Sequence, residues 1–180
     1  MRIPGICRDC AEGKRRIDLI RAAFAYRGPV PGLVYALKYR RHRSVAESLA
    51  GWMAGAFARF PELGGADVLT AVPLHPARLA DRGFNQAELL AAGLVSISGK
   101  PLLETLDRTT NTRPQWRLDR VQRAKNLRLA FRPKTDGRIA GKSILLIDDV
   151  CTTGETLDNC AVALRAAGAV RVTAFVLARD

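Results

Sequence analysis

The stretch Ile144 to Leu157, ILLIDDVCTTGETL, constrains the fold of this chain more than any other. Four consecutive apolar residues, Ile144, Leu145, Leu146 and Ile147, leave no polar face. That is how a short strand reads when it is buried on both sides of a parallel sheet. Asp148 and Asp149 follow at once, which puts two carboxylates at the carboxyl end of a central strand, the edge of an open α/β sheet where ligands gather. Cys151, Thr152, Thr153, Gly154, Glu155 and Thr156 are small or polar and turn the chain. From Glu155 onward the spacing becomes helical, with Leu157, Ala161, Leu164 and Gly168 on one face.

Each part of this strand, acidic pair, hydroxyl-rich loop and helix has a chemical use. An ionised carboxylate only accepts hydrogen bonds, so two adjacent ones suit neighbouring hydroxyl donors such as the 2′- and 3′-OH of a ribose. Backbone N–H groups at a helix N-terminus point outward, the helix dipole adds roughly 0.3–1 kcal/mol for an anion, and the threonine hydroxyls donate as well. A ribose 5-phosphate matches both halves. Two other readings compete: a buried strand followed by a solvated turn, and the acidic strand of a P-loop ATPase. The ATPase reading needs a GxxxxGK[ST] loop after an earlier strand. Here Gly141-Lys142-Ser143 precedes the acidic strand, and Asp136 stands where the first glycine should be.

The thirteen residues ILLIDDVCTTGET resemble the phosphoribosyl pyrophosphate (PRPP) signature of type I phosphoribosyltransferases: four hydrophobic residues, two acids, and a phosphate loop ending TTGxT. The chain has 180 residues, enough for one α/β domain with a real core. Its net charge of +12 favours polyanionic partners, whether nucleotides, nucleic acid or an acidic membrane surface. No apolar run approaches the roughly 18 residues of a membrane span, and no secretory h-region opens the chain. Four cysteines in that setting indicate a reducing cytosol, hence a cytoplasmic protein with thiol or metal chemistry in preference to disulfides.

Upstream, Cys7 and Cys10 form a CxxC pair, half of a zinc site. Cys151, Cys160, His42 and His75 lie too far apart in sequence to complete it; a cysteine pair preceding Met1 would. The spacing from Phe24 to Tyr26 predicts a short strand, and Leu33, Val34 and Leu37 start a helical face. Lys38 ends that segment before the basic run Arg40, Arg41, His42 and Arg43, which reads first as solvated surface, with Lys38 as a lesser ligand candidate. Ser44 and Glu47 form a capping box for a helix that continues to Pro61. Asp67 to Val72 is a second strand, closed by Pro73. After it, Arg78 and Arg82 share one helical face, Gly83 follows, and a further helix covers about Asn85 to Val95. Two arginines and a glycine between a strand end and a helix suit a second anion, although a loop salt-bridged by Asp81 and Glu88 fits equally well. Arg108 to Lys134 holds nine Lys or Arg against one acid, Asp119. It reads as a hood or a polyanion-binding arm, with Trp116 beside Arg113 and Arg117 able to stack a base or simply to pack. Val170 to Ala178 completes a strand–helix–strand unit.

The order LKYRRHRSVAESLA, AVPLHPARLADRGFNQAELLA, RTTNTRPQWRLDRVQRAKNLRLAF and then the PRPP loop with a closing VLAR resembles the ComF/GntX family from about Phe24 onward. The resemblance implies a type I phosphoribosyltransferase-like fold, with a central parallel sheet, flanking helices and a hood. It divides the chain into a truncated zinc-ribbon remnant over 1–16 and a phosphoribosyltransferase-like domain over 17–180. Asp148 and Asp149 become the catalytic and ribose-binding acids, acting directly or through Mg²⁺ that arrives with PRPP. Cys151, Thr152, Thr153, Gly154, Glu155 and Thr156 become the 5-phosphate loop. Pro73, His75, Arg78, Arg82 and Gly83 become the pyrophosphate loop. Cys7 and Cys10 become ligands for Zn²⁺ if the missing cysteine pair is supplied. The implied activity is PRPP-dependent phosphoribosyl transfer with release of pyrophosphate, in a family whose competence members are associated with DNA uptake machinery. A non-catalytic module that binds single-stranded DNA on the same fold is the alternative.

Overall fold

The computed structural model describes residues 15–39, 43–110, 130–134 and 137–180. Strand β5 (Ser143–Cys151) is the centre of a four-stranded sheet with β6 (Arg171–Arg179) on one side and β2 (Val68–Ala71) on the other, and β1 (Leu19–Ala25) lies beyond β6. All three pairings are parallel, with Ile144 opposite both Val172 and Val68. Parallel neighbours need long crossovers, so helices cover both faces of the sheet. These are α1 (Val30–Tyr39), α2 (Arg43–Phe57), α3 (Pro76–Arg82), α4 (Gln86–Ser98) and α5 (Glu155–Ala166). Among the described residues no helix is long and apolar enough to cross a membrane.

The apolar run of β5 divides between two cores as side chains alternate along a strand. Ile144 and Leu146 join Val172, Ala174 and Val176 under α5, and Leu145 and Ile147 join Phe175 and Leu177 under α2 and α4. All four β5 residues are fully buried, each contributing roughly 1.5–3 kcal/mol. In the second core Phe175 packs against Phe57 at 5.6 Å and Phe60 at 5.7 Å between ring centroids. Helices α2 and α4 meet at Gly93, where an added Cβ would stand 2.7 Å from Ala50 Cβ. A short antiparallel pair, β3 (Leu106–Arg108) with β4 (Phe131–Pro133), packs on the α5 side and frames both ends of the basic segment.

Several boundaries differ from the sequence reading. β5 runs on through both acids to Cys151, so the acids belong to the strand itself. β1 begins at Leu19, well before Phe24. It is an edge strand with mostly half-buried residues, and Arg21, which interrupts its apolar pattern, is accommodated by Glu62 at 2.7 Å. α2 already includes Arg43, which places Ser44 inside the first turn and not at the cap. Cys7, Cys10, Arg40, Arg41, His42, Arg113, Trp116, Arg117 and Asp119 lie outside the described residues.

Candidate functional site

Asp148 and Asp149 are adjacent in sequence but serve opposite faces of the sheet. Asp148 turns toward the α5 and β3–β4 layer, where Cys160 and Arg108 sit within electrostatic reach. Its Oδ1 accepts the Asp149 backbone N–H at 2.8 Å. Asp149 turns toward α1 and α4, where its Oδ2 accepts from Lys38 Nζ at 2.9 Å and from Gln86 Nε2 at 3.1 Å. Strand alternation is the cause, and the two carboxylates do not form the side-by-side acceptor that their adjacency predicts. Both are buried, Asp148 at 9% and Asp149 at 4% exposure. Burial, and then the neighbouring Asp149 charge, pushes Asp148 up to about 7, against the attraction of Lys38 and Arg108.

The threonine turn lies at the end of the same strand. Thr152 and Thr153 are exposed, Gly154 adopts a left-handed conformation with φ 78°, and α5 starts at Glu155. The Glu155 N–H donates to Thr153 Oγ1 at 3.4 Å, which shapes the turn. The side chains of Glu155 and Thr156 belong to the first helical turn, Glu155 exposed and Thr156 half-buried. Cys151 departs from its expected place in a phosphate loop. Its side chain is 3% exposed within the core, burial raises its thiol pKa, and its carbonyl accepts the Asp180 N–H at 3.2 Å. Its thiol lies in the core under the final helix. Arg15, absent from the sequence reading, lies against the turn and donates to the Thr153 carbonyl at 3.0 Å.

The second anion-binding candidate follows β2. Pro73 leads to His75, whose Nδ1 accepts the Ala77 N–H at 3.2 Å and caps the seven-residue α3; Gly83 ends that helix with φ 80°. Glycine suits such a stop because it has no Cβ to clash at positive φ. Arg82 lies in the last turn and donates from Nη1 to Gln86 Oε1 at 3.1 Å. Asn85 caps α4 through the Ala87 N–H at 3.0 Å and donates to the Val72 carbonyl at 3.1 Å, anchoring this loop to β2. Arg78 is close enough to Arg108 for the two cations to repel, and burial, then Arg78, lowers the Arg108 pKa. Arg108 lies over the Phe131 ring at 5.3 Å.

The structure thus brings both acids, the threonine turn and the arginine loop to the carboxyl end of β2 and β5. Lys38, Gln86, Arg108 and Arg15 join them. Of these, Lys38 was already a lesser ligand candidate in the sequence, and Gln86 carried a signal there as a lone amide on the apolar face of a helix. A cavity of ≈ 680 Å³ beside β2 is lined by Pro73, Pro76 and Leu79 of the arginine loop and by Arg108, but not by Arg78 or Arg82. Neither acid nor the threonine turn lines it, so it neighbours the site without being its centre.

Residues 95–180 match the family model for the phosphoribosyl transferase domain. Among solved structures, the chain resembles glutamine phosphoribosylpyrophosphate amidotransferase from B. subtilis complexed with ADP and GMP, at 23% identity and TM-score 0.51, covering 74% of this chain and 26% of that one. This chain therefore spans about a quarter of that protein's length. Parallel sheet, flanking helices and acidic strand together define a type I phosphoribosyltransferase-like fold. Curated relatives narrow the assignment. DNA utilization protein YhgH of Salmonella typhi is 33% identical over 158 residues, 86% of this chain and 69% of its own. Competence protein ComFC of Bacillus subtilis (strain 168) is 30% identical over 186 residues, 99% of this chain and 74% of its own. The chain belongs to the ComF family.

Proposed function

We propose that the carboxyl edge of β5 binds PRPP and that the protein transfers its phosphoribosyl group to a nucleophile, releasing pyrophosphate. The observation that carries this reading is the convergence at one sheet edge of two carboxylates, an exposed threonine turn opening a helix, and an arginine loop. The backbone N–H groups and hydroxyls of Thr152, Thr153, Gly154, Glu155 and Thr156 receive the 5-phosphate. Asp148 and Asp149, approaching from opposite sides of the strand end, accept from the ribose hydroxyls. Pro73, His75, Arg78, Arg82 and Gly83 form the loop that holds the diphosphate, with the arginines supplying charge.

In the reaction the bond between the anomeric carbon and the pyrophosphate oxygen breaks, and the electron pair leaves with pyrophosphate. A bond from the acceptor to the same carbon forms, and the acceptor's proton is lost. The transition state resembles an oxocarbenium ion, so fixing both phosphate ends and spreading the leaving-group charge lowers the barrier. Among the described residues no group of three or more His, Cys, Asp or Glu is placed to hold a metal ion. The hard oxygens of Asp148 and Asp149, each from its own side of the strand end, would suit Mg²⁺ that arrives with PRPP. Bound there, Mg²⁺ would supply neutralisation of the diphosphate.

A second reading is supported by the net charge of +12 and by relatives named for DNA utilization and competence. On it, the protein binds single-stranded DNA in the cytoplasm and works beside a DNA-uptake machinery. Independently of either reading, we propose the domain division between residues 16 and 17 and zinc on Cys7 and Cys10 if a second cysteine pair is supplied. Pyrophosphate release from PRPP and Mg²⁺, screened across nucleobases, amines and single-stranded DNA, separates the readings. Turnover with an acceptor supports the transferase. Salt-sensitive DNA binding without turnover supports the binding module.

A further inference from the structure

Gln86 joins two groups that the preceding reading assigns to opposite ends of one ligand. Its Nε2 donates to Asp149 Oδ2 at 3.1 Å, and its Oε1 accepts from Arg82 Nη1 at 3.1 Å. The neighbours fix the orientation of the amide, because a carboxylate only accepts and a guanidinium only donates. A side chain here must therefore donate at one tip and accept at the other. Glutamate would set a second carboxylate against Asp149, and methionine would fill the space while breaking the bridge. Gln86 is 4% exposed and shares its buried helix face with Ala87, Leu90, Ala91 and Leu94. Capping does not explain a polar group there, since Asn85 already caps the helix. An amide buried on an apolar face costs stability unless both ends are satisfied, and both ends here meet site residues. Lys38 reaches the same Asp149 oxygen from α1, so both donors fall on Oδ2.

We propose that Gln86 is a positioning residue that couples the sugar-holding acid to the diphosphate-holding arginine, so that filling either half of the site favours filling the other. The inference rests on the PRPP reading and deepens it. The chain Lys38, Asp149, Gln86, Arg82 links strand, helix and loop, and a ligand that engages Asp149 and Arg82 together draws on all of it. Such a site selects a sugar carrying both phosphate ends over a molecule supplying one, and thermodynamic linkage makes the coupling reciprocal.

Calorimetry with PRPP, ribose 5-phosphate and inorganic pyrophosphate, at constant Mg²⁺, tests this in wild type, Gln86→Met, Arg82→Met and the double variant. Gln86→Met should weaken PRPP by about tenfold or more while each half-ligand weakens by about threefold or less. In the Arg82→Met background, the further loss of PRPP affinity from Gln86→Met should be below about threefold. Equal losses for all three ligands, no loss, or additive effects in the double variant overturn the coupling. Wild type provides a measurement that needs no substitution: saturating pyrophosphate should tighten ribose 5-phosphate binding by about fivefold or more. Indifference there overturns it as well. A wild type that binds none of the three ligands overturns the PRPP reading and this inference with it, whereas normal PRPP binding by Gln86→Met overturns only the coupling.

Discussion

Asp148 offers a test of the electrostatics of the site that needs no ligand. Its carboxyl is raised from 3.8 to about 7, first by burial and then by the Asp149 charge. The folded chain therefore holds a proton that the unfolded chain releases between about pH 4 and pH 7, and stability falls as pH rises through that window. The cost reaches a ceiling of roughly 4 kcal/mol above the folded value, of which roughly 2–3 kcal/mol develops between pH 5 and pH 8. Asp148→Asn removes the titration and keeps the shape, including an Oδ1 able to accept the Asp149 N–H, which the wild-type side chain accepts at 2.8 Å. Urea unfolding of both proteins at pH 5 and pH 8 compares them with every other titratable residue in common. The stability of Asp148→Asn minus that of wild type should rise by roughly 2–3 kcal/mol from pH 5 to pH 8. A difference independent of pH, or one that falls as pH rises, refutes the account of a buried carboxyl held against its charge by its neighbours.

Gly154→Ala should weaken ribose 5-phosphate binding in calorimetry and lower the melting temperature. Its φ of 78° disfavours any Cβ, and the added atom would lie 3.4 Å from Ile20 Cδ1 and 3.7 Å from Arg15 Nη1; the backbone strain alone costs about 1 kcal/mol or more. Gly93→Ala sets two effects against each other. Helix propensity favours alanine by about 1 kcal/mol, but a Cβ 2.7 Å from Ala50 Cβ forces α2 and α4 apart at a cost of roughly 1–3 kcal/mol. Urea unfolding should show net destabilisation, and a stabilised variant would contradict the close packing.

The parallel core was legible in the sequence because Ile144–Ile147 has no polar face, and only a strand covered on both sides tolerates that. Helix α4 was legible through its apolar spacing and Asn85, and the exposed Thr152-Thr153 turn through its hydroxyls. Other features depend on what the sheet sets side by side. That Asp148 and Asp149 face opposite layers follows only once β5 is known to continue past Ile147 as strand. The same continuation makes Cys151 the last residue of the strand, with its thiol in the core, where its small size among polar neighbours had suggested a loop. Lys38 reaches Asp149 across 111 positions of sequence, a distance no local pattern spans. β1 escaped recognition over its first half because an edge strand keeps a charged residue, Arg21, that a central strand would not. The bridging role of Gln86 required both neighbours to be in place.

Titration calorimetry of PRPP in Mg²⁺ into wild type and into Asp148→Asn/Asp149→Asn tests the central claim most directly. Wild type should bind PRPP saturably at a single site, and the double variant should lose about tenfold or more in affinity while remaining folded. PRPP affinity that is unchanged by the double substitution, or undetectable in wild type, would contradict the assignment of this sheet edge as the seat of a phosphorylated sugar.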